Sequence, residues 1–469
     1  MEESIQDIAN QTEIQPPEEK PTNNEDKHSK FITKLLELDI ATHIFILIAL
    51  VVIVCAYIIA PSVANYLLTK SPDTLQGQEG TISTIPTQEN LANNLVRPVF
   101  ANEAPIDPNQ VFSYPASKIS LAFTGEPQRE VYGFLPYWML PAYSKINISS
   151  LTTAALFGLN VDGKGNIQSK DADGQPDKGW LMWNSAELNS FITLAKRKQL
   201  HLDLVVKSFN NASIESLVLS DEAQKTFIAN AIFLVSSKGL DGINVDFEYI
   251  GTPSKQVKDG FTRLIKNLRA EMKRQYPNLT LSVDTYVSEA SVPRLIDIQA
   301  LEDSVDTFII MAYDFHTPNG APGPIAPMEG SGYSLIGFLQ SYLEKINPDK
   351  IILAIAYYGY DWPTPPTKQG TKVLPYAQIA ALSNTYAMQW DDAAQSPYFS
   401  YADKISGQKH TVYFENARSL AVKYDYINRK NLRGVGIWAL GYDGLSSDLR
   451  TLIIEKFSRI LTTENDTKQ

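Results

Sequence analysis

Leu240-Asp241-Gly242-Ile243-Asn244-Val245-Asp246-Phe247-Glu248-Tyr249 is the stretch on which the fold turns. It follows Ser236-Ser237-Lys238-Gly239, which reads as the end of a helix. Ile243, Val245 and Phe247 are large and apolar, and Asn244, Asp246 and Glu248 alternate with them. In a strand every second side chain shares a face. The polar three therefore form one row, with about 6–7 Å between successive members. The apolar three point the other way, into a packed layer. Polar groups on the inner face of a core strand are costly unless they are paired, titrated or used. Two carboxyl groups brought close couple, and one of them keeps its proton near neutral pH, as a general acid must. A structural hydrogen-bond or ion-pair row inside a barrel is the alternative that this stretch alone leaves open.

Outward from this stretch, short apolar runs alternate with helical stretches from Glu130 onward. Eight runs stand out: Val131–Leu135, Thr153–Phe157, Leu202–Val206, Gly242–Phe247, Leu279–Val283, Thr307–Met311, Ile351–Ala356 and Gly434–Trp438. A helix is expected from about Asp221 to Ser237, with Ser220 as its N-cap and Gly239 beyond its end. Another is expected from about Lys255 to Gln275, stopped by Tyr276-Pro277. Strand–helix alternation repeated eight times implies a (β/α)8 barrel of the TIM type. A doubly wound open sheet is the alternative, but no Gly-x-Gly-x-x-Gly follows a strand. Barrels of this kind carry their chemistry at the C-terminal ends of the strands. Asp246 and Glu248 stand at the end of the fourth run, where such chemistry belongs.

Asp241-Gly242-Ile243-Asn244-Val245-Asp246-Phe247-Glu248 resembles the Asp-Gly-x-Asp-x-Asp-x-Glu signature of glycoside hydrolase family 18, with Asn244 in place of the middle Asp. The pattern is closest to bacterial members that act on peptidoglycan, including spore-cortex lytic enzymes. Met311-Ala312-Tyr313-Asp314 resembles the family's Met-x-Tyr-Asp, and Trp438 in Gly436–Asp443 resembles the Trp that floors the sugar subsite. Tyr358–Trp362 and Gly133–Trp138 are similar to cleft-lining aromatic segments. Ser208-Phe209-Asn210-Asn211 stands where the family has Ser-x-Gly-Gly, so the glycine turn is missing. The resemblance spans Glu130 to about Leu461.

The resemblance implies retaining hydrolysis of a β-1,4 bond to an N-acetylated sugar, in which the substrate's own acetamido oxygen is the nucleophile. Glu248 is then the general acid and later the base. Asp246 holds the acetamido N–H, and Tyr313 donates to the acetamido carbonyl. Asp314, Trp438, Asn244, Tyr358, Trp138 and Ser208 are the implied substrate-binding residues. Asn244 is expected to lock the Asp246 rotamer by hydrogen bonding without titrating, leaving Asp246 no second carboxylate with which to share a proton. No metal or organic cofactor is implied. Chitin instead of peptidoglycan, or a sugar-binding relative without hydrolysis, are the other functions this pattern admits. The family also implies a small α+β insertion between strands seven and eight, here about residues 363–414.

The rest of the 469-residue chain supports one large domain with appendages. A net charge of −11 argues against nucleic acid as a partner. One cysteine, Cys55, excludes an intrachain disulfide framework, and the five histidines show no metal-ligand spacing. Residues 1–39 are polar and rich in Glu, Pro, Asn and Gln, a composition expected to be disordered. Residues 40–66 contain no Asp, Glu, Lys or Arg, and their nearly continuous hydrocarbon centre is expected to cross a membrane as a signal-anchor helix. Cleavage after Ser62-Val63-Ala64 is the alternative, against which the length of the run argues. Lys27, Lys30 and Lys34 precede the run and only Lys70 closely follows it. That asymmetry puts the N-terminus in the cytoplasm and the barrel on the extracytoplasmic side. Residues 67–129 read as a flexible linker, the catalytic barrel as 130–462, and residues 463–469 as a disordered tail.

Overall fold

The computed structural model describes residues 106–114, 127–330, 333–365 and 370–458. The apolar run at 40–66 and most of the linker lie outside the described residues. Among the described residues no helix is long and apolar enough to cross a membrane.

All eight apolar runs are strands. They are β1 (Glu130–Pro136), β2 (Thr153–Asn160), β3 (His201–Ser208), β4 (Gly242–Phe247), β5 (Thr280–Tyr286), β6 (Thr307–Met311) and β7 (Ile351–Ala356), with Gly434–Trp438 as the last. Numbered in chain order the last is β13, because the five strands of the insertion come between. The eight pair in parallel and close on themselves in the order β1-β2-β3-β4-β5-β6-β7-β13. Closure excludes the open doubly wound sheet, since β1 pairs with β13 through Glu130 opposite Gly434 and Gly133 opposite Ile437. The helices form where the sequence marks them. Ser220 accepts from Ala223 N at 3.2 Å to open Asp221–Lys238, and Gly239 closes that helix at φ +59°. Ser254 caps Lys255–Gln275 through Val257 N. Val257, Phe261, Leu264, Ile265, Leu268 and Met272 recur at helical spacing and are buried against the barrel.

The closing seam depends on an absent side chain. A Cβ at Gly434 would lie 1.9 Å from the Glu130 carbonyl oxygen of the neighbouring strand. Gly434→Ala is therefore expected to cost about 1–3 kcal/mol, the usual penalty of forcing an extra methyl into a packed core. Urea unfolding of the variant against the parent measures it, and an unchanged midpoint would refute it.

A single residue, Tyr357, separates β7 from the insertion. Strands β8 (Tyr358–Thr364), β9 (Lys372–Pro375), β10 (Gln389–Asp391), β11 (Ser396–Ala402) and β12 (Lys409–Phe414) form an antiparallel sheet in the order β10-β11-β12-β8-β9. Leu374, Ile379, Phe399, Val412 and Phe414 give it a small core of its own. The sheet begins at Tyr358, earlier than the expected 363, because Tyr360 pairs with both Val373 and Tyr413. Tyr358–Trp362 is thus a strand of the insertion as well as the outlet of β7.

Candidate active site

Every residue of β4 is buried. Its start is anchored by backbone chemistry. The Asp241 carboxylate accepts from Leu202 N at 2.9 Å, and a Cβ at Gly242 would collide with Asp203 Oδ1 and Thr280 Oγ1. Asp241 and Gly242 therefore position the strand, while the alternating row above them supplies the chemistry. Asn244, Asp246 and Glu248 are 0%, 3% and 5% exposed. Asp246 and Glu248 open into a cavity at the C-terminal mouth of the barrel, together with Asp284 and Tyr313. Phe134, Phe157, Phe209, Met311 and Trp438 complete its walls. The Trp438 ring meets Phe157 edge-on at 4.7 Å between centroids. Acids gathered among aromatic rings sit in a medium that magnifies their charge.

One hydrogen bond to the acids comes from β5. Tyr286 Oη donates to Glu248 Oε2 at 2.9 Å. Burial, then the charge of Glu248, hold that phenol well above its usual pKa, so it stays a donor at neutral pH. Tyr313 is likewise pushed well above the ordinary phenol range, first by burial and then by Asp284, Asp314, Glu248 and Asp246. It is a neutral donor facing the carboxylates. Lys207, 1% exposed, stands opposite Asp246 in the β3–β4 register. Its Nζ donates to Asn160 Oδ1 at 2.9 Å and lies 4.8 Å from the Phe209 ring centroid.

Of the residues expected at the site, Glu248, Asp246, Tyr313 and Trp438 converge on the cavity. Four others stand behind it. Asp314, 4% exposed and at φ +60°, accepts on Oδ1 from Tyr358 and Tyr360. Burial raises its pKa to about 6, against the pull of those two phenols. Tyr358 is 1% exposed, so it supports Asp314 rather than lining the cavity. Trp138 donates Nε1 to Tyr442 Oη at 3.1 Å, and its ring braces Trp438 from 6.3 Å. Ser208 accepts from Glu248 N at 3.0 Å through its carbonyl oxygen, and its side chain is not among the cavity residues. The missing glycine turn has a structural replacement, for Asn210 accepts from Ser213 N at 2.9 Å and caps the helix Asn211–Leu219.

The expectation for Asn244 is corrected. Its Nδ2 donates to Ser282 Oγ at 3.0 Å and to Asp284 Oδ1 at 2.7 Å, both across the strand pair on β5, and not to Asp246. The expectation that Asp246 has no second carboxylate near it is corrected too, since Asp284 lines the same cavity. Asp284 and Tyr286 were legible in principle. The alternation Ser282-Val283-Asp284-Thr285-Tyr286 repeats that of β4, but the apolar run by itself ends at Val283.

A larger hollow lies at the opposite end of the barrel, lined in part by Arg129, Glu130, His201, Asp203 and Arg433. Several of its charged groups pair with one another, as in Arg433 Nε to Glu130 Oε2 at 2.6 Å and His201 Nε2 to Asp203 Oδ1 at 3.1 Å. The N-terminal end of such a barrel serves stability. Among the described residues no three of His, Cys, Asp and Glu are disposed to hold a metal ion.

The family model for glycosyl hydrolases family 18 matches residues 127–443, the whole barrel through the end of β13. The chain belongs to glycosyl hydrolases family 18. Two curated members of comparable similarity come from Bacillus subtilis (strain 168). YdhD, whose name marks it provisionally as a sporulation-specific glycosylase, is 30% identical over 239 residues, covering 48% of this chain and 52% of that protein. The cortical fragment-lytic enzyme is 27% identical over 266 residues, covering 54% and 60%. The chain thus spans only about half to three-fifths of these relatives. The crystal structure of the Bacillus megaterium QM B1551 spore cortex-lytic enzyme SleL shares the fold, with a TM-score of 0.59 at 22% identity over 72% of this chain and 77% of that one. The family-18 barrel accounts for the closed parallel sheet, and the cavity sits at the end of that sheet where the acids of β4 emerge.

Proposed function

We propose that this protein hydrolyses β-1,4 bonds to N-acetylglucosamine-type sugars in a cell-wall polymer, peptidoglycan above all, with retention and with the substrate's acetamido group as nucleophile. The observation that carries this is the emergence of Asp246 and Glu248 from one face of β4 into a cavity walled by Trp438 and faced by the neutral phenol of Tyr313. Glu248 protonates the leaving oxygen and then draws a proton from water. Tyr286, already donating to Oε2, fixes which way that carboxyl turns. Asp246 accepts the acetamido N–H and steadies the positive charge that develops on the ring. Tyr313 donates to the acetamido carbonyl and turns its oxygen toward the anomeric carbon. Trp438 offers a flat apolar face to the sugar. Membership of family 18 and the cortical fragment-lytic name of one relative support a wall polymer as substrate.

The decisive experiment is turnover of purified peptidoglycan and of chitin oligomers by the full chain, with Glu248→Gln as control. Release of reducing ends from peptidoglycan alone supports the proposal. Release from chitin alone makes the protein a chitinase, and no turnover on either makes it a sugar-binding relative. The apolar run at 40–66 supports a membrane tether with the barrel on the extracytoplasmic side. Protease added to intact cells should then remove the barrel and leave the N-terminal segment protected. A barrel that stays intact until the cells are opened would refute that orientation.

A further inference from the structure

Strands β4 and β5 run parallel, with Asn244 opposite Ser282 and Val245 opposite Val283. One residue further along that register brings Asp246 beside Asp284. Neighbouring strands lie about 4.7–4.9 Å apart, and residues of equal parity share a face. Both carboxyl groups line the mouth cavity, and Asp284 is 4% exposed. Asn244, which no solvent reaches, directs Nδ2 onto Asp284 Oδ1 at 2.7 Å. Its own Oδ1 is buried with no hydrogen-bond partner among the described residues. The bond marks Oδ1 of Asp284 as the acceptor oxygen, so a proton on this carboxyl sits on Oδ2.

We infer that Asp284 is a positioning residue that carries one proton and shares it with Asp246 across the β4–β5 pair, supplying from β5 the acid that β4 lacks at Asn244. The inference rests on the functional proposal above for its role in turnover. Two carboxyl groups buried side by side cannot both ionise without a large cost. The groups facing Asp284 are Asn244 and Asp246 on β4, Glu248 just beyond it, Asp203 on β3, Tyr132 on β1 and Tyr313 beyond β6, with Tyr286 two residues on along the same face of β5. Lys207, a cation, stands opposite Asp246 in the β3–β4 register. Burial pushes the Asp284 carboxyl well above the usual carboxylate range. The Asn244 hydrogen bond opposes that shift, and the charges of Glu248 and Asp203 add to it. In the empty site the proton lies between Asp284 Oδ2 and Asp246. When the substrate acetamido N–H donates to Asp246, the proton settles on Asp284, and Asp246 faces the developing cation with its full charge. Product release restores the sharing, and no proton enters or leaves over the cycle.

The test compares parent, Asp284→Asn and the exchange Asn244→Asp/Asp284→Asn, each as the full chain, on whichever polymer the parent cleaves. Asp284→Asn should lower kcat by about 100-fold, the low end of what a direct proton donor is worth. Its kcat–pH profile should lose or move the basic limb by about one pH unit or more. The exchange returns an acid beside Asp246 and should recover most of both. A single variant with the parent's profile, or an exchange no better than the single, overturns the inference. So does failure of both variants to fold, since the exchange should be tolerated. Infrared difference spectra of parent minus Asp284→Asn at pH 7, with and without 13C-aspartate, give a readout independent of substrate. A protonated-carboxyl band present in the parent and missing from the variant is expected, and its absence from the difference refutes the shared proton. A parent that turns over neither polymer sinks the functional proposal, while the infrared result still decides the state of Asp284.

Discussion

Glu248→Gln should abolish almost all turnover while leaving the barrel folded. The amide has the shape of the carboxyl group and can still accept from Tyr286, which now donates to Glu248 Oε2 at 2.9 Å. What it cannot do is release a proton to the leaving oxygen or take one from water. Proton transfer by a positioned side chain is worth about 10²- to 10⁴-fold in rate. A loss of that size in kcat, with an unchanged thermal midpoint, is the expected result. Because the same group acts in both halves of the reaction, KM should move much less than kcat. A variant that keeps more than about a tenth of the parent's rate would remove Glu248 from the acid role.

The largest expected loss of stability lies away from the chemistry. Glu415, just after β12, and Lys423, on the helix Ala417–Arg429, form an ion pair at 2.8 Å with both side chains fully buried. Breaking such a pair from one side leaves an uncompensated charge in the core and costs about 3–5 kcal/mol. Lys423→Met should therefore lower the urea midpoint strongly. Adding Glu415→Gln to it should recover much of the loss, since replacing both partners removes the stranded charge. The pH dependence has a definite sign. Burial raises the Glu415 carboxyl above its ordinary pKa even with Lys423 present, and the ammonium group opposes that shift. Without the ammonium it rises further. A carboxyl group whose pKa is higher folded than unfolded favours the fold at low pH and loses that contribution as pH climbs through the folded value. The deficit of Lys423→Met should accordingly shrink on acidification. A deficit that is constant with pH would show that the stranded charge is not its cause.

Several parts of this protein are local properties of the chain and were readable as such. The eight apolar runs became the eight barrel strands because each is long enough to cross the barrel wall and too short to pack as a buried helix. Ser220 and Gly239 bound their helix because capping needs only neighbours in sequence. Asp246 and Glu248 reached one cavity because alternation along a single strand fixes the face of every residue on it.

The supporting residues were less legible. Tyr358, Trp138 and Ser208 resemble site residues in sequence, yet Tyr358 holds Asp314, Trp138 braces Trp438, and Ser208 offers its carbonyl oxygen to Glu248 N. A motif fixes residue type and approximate place, whereas the depth of a side chain depends on what packs over it. Tyr358 is itself a strand residue of the insertion sheet, and Trp138 packs against Phe157 and Trp438.

The sequence by itself determined the alternation that makes β4 a core strand with an acidic row, the strand–helix repeat that makes a barrel, and the family signature with Asn244 in place of an acid. Only the tertiary structure decided what Asn244 holds and which acid stands beside Asp246. Those answers lie on β5, at Ser282 and Asp284, nearly forty residues further along the chain. Alternation assigns a face within one strand, but the partner across that face is set by the register of the neighbouring strand. That register exists only once the sheet has paired and closed.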